Sequence, residues 1–328
     1  MVAYTGIQGQ NILIVSSDPA NPVEGQIWYN STSNTLKDYQ FAAVNAFASG
    51  GNLNTARRIA NGGVGTQTAA LAISGSSPGA GAIAAVESYN GTSWTTNPVS
   101  VNTGRPDGAA SGTQTAALFF GGAPNYTNTE KWNGTTWTNN PTGLNTGRSD
   151  LAASGSGPST ATIAFGGYQY TVGSVGVSES WNGSTWTNTP SLNTARDSLT
   201  GLGIQTAALA ISGPTGVGTE SWNGSAWTAS ANVNTARYDA GAAGTQTSGL
   251  FFGGSASAPG TVIGATELWN GTAWTTNPNS LATARRLLGG AGTQTAAIGF
   301  GGFTDTVETA ATEEWTGSAL QTKTITTS

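Results

Sequence analysis

The chain has 328 residues, only 8% of them charged, with 11 Lys and Arg against 16 Asp and Glu and a net charge of −5. It contains neither histidine nor cysteine. A Ser-His-Asp triad, a His-ligated zinc, disulfides and thiolate chemistry are therefore excluded, and without a polybasic run neither nucleic acid nor membrane insertion is expected. Residues 1–17 hold the apolar run Ile12-Leu13-Ile14-Val15 but no basic flank and no long apolar core, so no signal peptide or transmembrane helix is expected. Residues 1–45 differ in composition from the rest and predict a short β-rich segment, including an Ile27–Tyr39 hairpin.

From Asn54 onward one unit recurs six times. It opens at Asn54, Asn102, Asn145, Asn193, Asn234 and Ala282, in steps of 48, 43, 48, 41 and 48 residues. Each copy reads N-T-A/G-R, a small-residue run, G-T-Q-T-A-A-L-x-F-G-G, a variable stretch and E-S-W-N-G-T-x-W, with local departures. A period of forty to fifty residues marks a solenoid, a propeller or an array, whose copies bury their apolar faces only by stacking. Short apolar runs closed by glycines predict strands, and no window has helical periodicity.

Asn-Gly recurs at Asn90-Gly91, Asn133-Gly134, Asn182-Gly183, Asn223-Gly224 and Asn270-Gly271, with Thr316-Gly317 in the sixth copy. Asn-Gly is a strong hairpin signal. A two-residue type I′ loop would set Trp132 opposite Thr135 and Glu130 opposite Trp137. The pattern predicts an all-β, six-bladed propeller over 46–328, with Thr322–Thr327 supplying the last outer strand. A seventh blade arises if the Ile27–Tyr39 hairpin forms half of one.

Each copy carries one Arg and one Glu at fixed places: Arg57, Arg105, Arg148, Arg196, Arg237 and Arg285 with Glu87, Glu130, Glu179, Glu220, Glu267 and Glu313. A carboxylate beside two indoles is costly to bury unless paired. These residues are expected to form structural pairs. The repeated Trp residues could stack sugars, but strict repetition favours a core role. The Asn-Gly-Thr/Ser tripeptides match a glycosylation sequon that the turn already explains, and the Gly-rich runs lack the Lys and helix of a phosphate loop.

The Arg, the glycine doublets Gly121-Gly122, Gly166-Gly167, Gly253-Gly254 and Gly301-Gly302, the acid with its aromatic and the Trp opening the fourth strand together resemble the kelch pattern. Copies one and four depart, with Ser74-Gly75 and Ser212-Gly213. The resemblance implies a kelch-like propeller, a fold that serves adaptors, actin binders and galactose oxidase. The copper site of that oxidase is ruled out by the missing histidine. The segment Asn21-Pro22-Val23-Glu24-Gly25-Gln26-Ile27-Trp28-Tyr29-Asn30-Ser31-Thr32-Ser33-Asn34-Thr35-Leu36-Lys37 resembles an N-terminal motif of structural and fibre-like proteins of tailed, especially marine, phages. That resemblance implies a virion protein whose segment 1–45 anchors it to other virion proteins and whose propeller faces the host surface.

Function is expected in the stretches that vary. Between the second-strand glycine and the third-strand Glu lie 11, 7, 11, 6, 12 and 10 residues in the six copies. Variable loops on a rigid frame commonly carry binding. Asn125, Tyr126, Tyr168, Gln169, Tyr170 and Phe303 are the candidate contacts, for a host protein or a glycan. Asp107, Asp150 and Asp239, two after the repeat Arg, and Asp197, one after, are expected around a central channel mouth. They are weak candidates for a cation site, and no cofactor is expected. A homo-oligomer is compatible with this reading. The alternative is a carbohydrate-binding or glycosidase-like propeller built on paired carboxylates.

Overall fold

The computed structural model describes residues 12–23, 25–42, 45–124, 126–256 and 260–325. It is all-β, with no helix among the described residues. The chain divides into two compact units, Met1–Asn45 with Gly317–Ser328, and Ala46–Thr316.

In the first unit a four-stranded sheet runs Leu13–Val15, Ile27–Asn30, Thr35–Ala42, Ala319–Thr324. Its first pair is parallel and the others antiparallel. Asp18 gathers the conspicuous residues of this segment. It accepts from Trp28 Nε1 at 3.1 Å and Asn30 Nδ2 at 2.8 Å, and pairs with Lys37 Nζ at 2.7 Å. Those donors, Lys37 foremost, hold its carboxyl down at about 2. The Ile27–Tyr39 hairpin therefore belongs to this sheet and not to a repeat. The last strand, Ala319–Thr324, pairs with Thr35–Ala42, so the C-terminal residues expected in the propeller group with the N-terminal segment instead.

In the second unit each repeat forms one four-stranded antiparallel sheet. Repeat two is typical, with Ala109–Thr113, Ala116–Phe120, Thr129–Trp132 and Trp137–Asn139 in order. Repeat six differs. Its first three strands are Gly289–Gly292, Ala296–Phe300 and Thr312–Thr316, but its fourth is Ala46–Ser49. The expectation that Thr322–Thr327 closes this sheet is therefore corrected. Phe47 stands opposite Trp315, in the place that a Trp fills elsewhere, and Thr316-Gly317 forms no hairpin to a fourth strand of its own.

The hairpin register also differs from the two-residue expectation. Trp132 pairs with Trp137 and Glu130 with Asn139, which leaves a four-residue loop, 133–136. Asn133 Oδ1 accepts from the backbone N–H groups of Thr135 and Thr136, at 2.9 and 2.8 Å. Only the glycine takes positive φ, +94° at Gly134, as its lack of a Cβ allows. The Asn works as a side-chain cap of the loop, an alternative to the type I′ backbone.

The first strands of the six sheets neighbour each other in chain order, and Gly289–Gly292 neighbours Gly63–Thr66 in turn. Apolar clusters fill each boundary: Phe165 and Ala152 of repeat three, for instance, pack with Trp222 and Trp227 of repeat four. The repeat Gln clasps the preceding sheet. Gln114 donates to Ala70 O and Tyr89 O, and Gln67 reaches Ala297 O and Trp315 O across the chain's two ends.

Candidate functional site

All six repeat arginines pair with the glutamate of their own copy. Arg57–Glu87, Arg105–Glu130, Arg148–Glu179, Arg196–Glu220 and Arg237–Glu267 close at 2.7, 2.5, 2.5, 3.1 and 2.9 Å, and Arg285 with Glu313 completes the set. Every one of these side chains is buried. Each Glu also accepts the backbone N–H groups of the residues that open the repeat, as Glu179 does from Asn145 at 2.6 Å and Thr146 at 3.3 Å. The guanidinium reaches a second-strand carbonyl, Phe119 O for Arg105. The motif N-T-x-R thus ties the connection between sheets to the third strand. Burial lowers the Arg237 pKa to about 10, which keeps it charged at neutral pH. These twelve residues are scaffold.

The Asn of the motif donates to the fourth strand, as Asn145 Nδ2 does to Trp186 O at 3.2 Å. Repeat six has Ala282 there, and it is also the repeat whose fourth strand lacks a Trp.

Beyond the Arg, the chain crosses from sheet to sheet at one backbone position per repeat. Asp150 N donates to Asp107 O, Ser198 N to Asp150 O, Asp239 N to Ser198 O, Leu287 N to Asp239 O and Ile59 N to Leu287 O, all at 2.8–2.9 Å. Asp107, Asp150, Ser198, Asp239 and Leu287 hold φ of +50° to +59° here. Asp tolerates this left-handed region better than most residues, which gives the recurrent acids a conformational reason. Asp107, Asp150 and Asp239 are drawn together at the start of the first strands, with Asp197 beside them. Burial raises the Asp107 carboxyl to about 7, with Asp150 adding repulsion and Arg58 opposing it. Burial likewise raises Asp150 and, well above the usual range, Asp239. Among the described residues no group of three or more acidic side chains is placed to hold a metal ion.

The space enclosed by the first strands is a cavity of about 40 Å³, lined largely by Gly and Ala. Room for one water needs roughly 10–15 Å³. Asn61 spans it at one end, donating to Leu151 O and Leu199 O at 2.9 and 3.1 Å. At the other end Ser156 Oγ donates to Gly244 O at 2.8 Å. Both residues depart from the repeat consensus, a signal the sequence offered and repeat averaging hides. The cavity is too small for an organic ligand.

The candidate contact residues separate. Tyr168 and Tyr170 are exposed on a small hairpin, Tyr168–Gln169 with Gly173–Ser174. Gln169 is half-buried beside them and donates to Gly147 O. Tyr126 is half-buried, and Asn125 lies outside the described residues. Phe303 is not a free contact. Arg58 covers its ring at 4.1 Å and Arg286 stands at 5.5 Å. Arg58 also pairs with Glu308 at 3.0 Å, and Arg286 lies 3.6 Å from both Asp239 and Asp305. These two arginines were not singled out in the sequence, although they are the only ones outside the repeat position.

No protein-family model matches the chain, and no curated protein matches its sequence.

Proposed function

We propose that residues 46–316 form a six-bladed kelch-like β-propeller and that the protein is a non-enzymatic binding component of a tailed-phage particle. One sheet per repeat, first strands neighbouring in cyclic order, and a sixth sheet finished by Ala46–Ser49 support the blade count. Pairing a strand from one end of the propeller with strands from the other removes two exposed sheet edges, which sheet proteins generally avoid leaving open.

The particular role, attachment of a virion to its host or to a neighbouring virion protein, rests on the segment Asn21–Lys37 and on the loops between second and third strands. Its carrying observation is the exposed Tyr168/Tyr170 hairpin on a frame whose other repeated aromatics are buried. Residues of the first unit serve as the anchor. Mass spectrometry and electron microscopy of purified particles test the assignment: the expected result is the protein at the particle surface, and its absence from intact particles refutes the reading. A reducing-sugar release assay with the purified protein is expected to show no cleavage.

A further inference from the structure

The hairpin in repeat three is unlike the other loops. Tyr168, Tyr170 and Val172 are exposed by 36%, 59% and 70%, and the two tyrosines are the exposed large aromatic rings among the described residues. The two tyrosine rings meet edge to face with centroids 5.6 Å apart. That contact orders the pair before any ligand arrives, which lowers the entropic cost of binding.

The same hairpin holds two carboxylates. Tyr168 exchanges both backbone hydrogen bonds with Ser149, at 2.8 and 3.0 Å. The Ser149 hydroxyl donates to Asp150 Oδ2 at 2.6 Å. On the other strand of the hairpin Ser174 Oγ donates to Asp197 Oδ2, while Asp197 Oδ1 accepts from Ser198 Oγ at 2.9 Å. The carboxylates are thus fixed in orientation by hydroxyl donors and keep further lone pairs open. The two lie near enough for Asp197 to disfavour ionisation of Asp150.

Among the described residues no ion pair reaches Asp150 or Asp197, and the two arginines nearest this group of acids are already engaged, Arg58 with Glu308 and Arg286 beside Asp239 and Asp305. No Lys or Arg occurs between Ser149 and Ser178, and the adjacent Arg148 and Arg196 are buried in their own glutamate pairs. Phosphates, nucleic acids and acidic sugars therefore find no counter-charge here, only repulsion. A ligand that suits the site has an apolar face for the rings and hydroxyl donors for the carboxylates.

We propose that this hairpin, with Asp150 and Asp197, binds a neutral sugar ring. The C–H face of a pyranose stacks on a tyrosine, and its hydroxyls donate to the carboxylate oxygens. This assignment rests on the loop face being the contact surface and names the chemistry of its partner.

The test uses the full chain on an array of neutral and acidic oligosaccharides, with titration of the best neutral binder. Binding to neutral glycans is expected. Y168A/Y170A and D150N/D197N are each expected to weaken it at least roughly tenfold, with the melting temperature of the tyrosine variant unchanged and Val307→Ala inert. Absence of any neutral binder, a preference for acidic glycans, or full binding by Y168A/Y170A overturns the proposal. Adsorption of particles carrying each variant separates the two readings. Loss of adsorption by Y168A/Y170A without glycan binding leaves the loop face in place and refutes the sugar. Glycan binding that depends on the hairpin, with adsorption unchanged, keeps the sugar site and refutes host attachment through this loop.

Discussion

Phe47 lies opposite Trp315 with ring centroids 5.0 Å apart, so a residue just after the N-terminal segment completes the sheet made by the last repeat. It also touches Phe252 of repeat five, centroids 5.3 Å apart. In three of the other repeats this seat holds a Trp whose Nε1 donates to a hydroxyl of the preceding sheet, from Trp94 to Thr312, Trp186 to Thr129 and Trp227 to Ser178. Phe47 has no N–H, and the hydroxyl facing it by repeat equivalence, Thr266 Oγ1, is buried without a partner.

Phe47→Ala is expected to cost about 2 kcal/mol, less than the roughly 3–5 kcal/mol of a fully buried Phe, because Phe47 is half-buried. Phe47→Trp is expected to raise stability by roughly 0.5–1.5 kcal/mol by supplying the missing donor. Urea unfolding at constant m-value measures both. Trp274 and Thr219 stay unpaired at an equivalent boundary, so placement matters as well as chemistry. A Phe47→Trp variant no more stable than wild type would show that Thr266 gains nothing.

Glu179→Ala removes the partner of a fully buried Arg148 and the acceptor of two backbone N–H groups. Breaking a buried pair from one side costs about 3–5 kcal/mol. The melting temperature should fall clearly below that of an exposed Ser→Ala control. A shift no larger than the control's would count against the pair as scaffold.

The aspartates predict an unusual pH response. Asp107, Asp150 and Asp239 have folded-state pKa values raised above their ordinary range, Asp107 to about 7. The folded state therefore binds more protons than the unfolded one between about pH 4 and 7. Stability should fall as pH rises through that window and be fully relieved of the penalty only below it. Asp107→Asn should raise the melting temperature at pH 8 and flatten the slope. Thermal melts from pH 5 to 8 that rise with pH, or that the variant leaves unchanged, contradict this origin.

The unit Ala46–Thr316 is expected to melt cooperatively as an isolated fragment, since it contains all six sheets. A fragment starting at Gly51 lacks the closing strand and should melt at a markedly lower temperature. Removing 1–45 alone strips Ala319–Thr324 of its partner strand, so the clean cut takes 317–328 as well. Under the proposed virion role, the 46–316 fragment should fail to join particles. Incorporation at the level of the full chain would move the anchor into the repeats.

The period, the strands and the Arg–Glu pairs were legible because each is local or recurs six times. A four-strand unit with Trp-Asn-Gly-x-x-Trp pairs with itself at short range, and six repetitions separate scaffold from variation. The loop register escaped because Asn-Gly fits two turns, and the choice fell to the Asn side chain capping two backbone N–H groups. The closing strand Ala46–Ser49 carries one aromatic in four residues, too little pattern to outweigh the nearer Thr322–Thr327. Its partner is decided by which end of the chain meets the open edge of Thr312–Thr316, a long-range encounter. The stacking of Arg58 on Phe303, the reach of Asn61 and Ser156 across the cavity, and the bond of Asp197 to Ser174 of the Tyr168 hairpin are likewise contacts between repeats. The sequence alone determined what each repeat is; only the tertiary structure decided which single, unrepeated residues meet, because those meetings depend on the order and spacing of whole sheets rather than on any local preference.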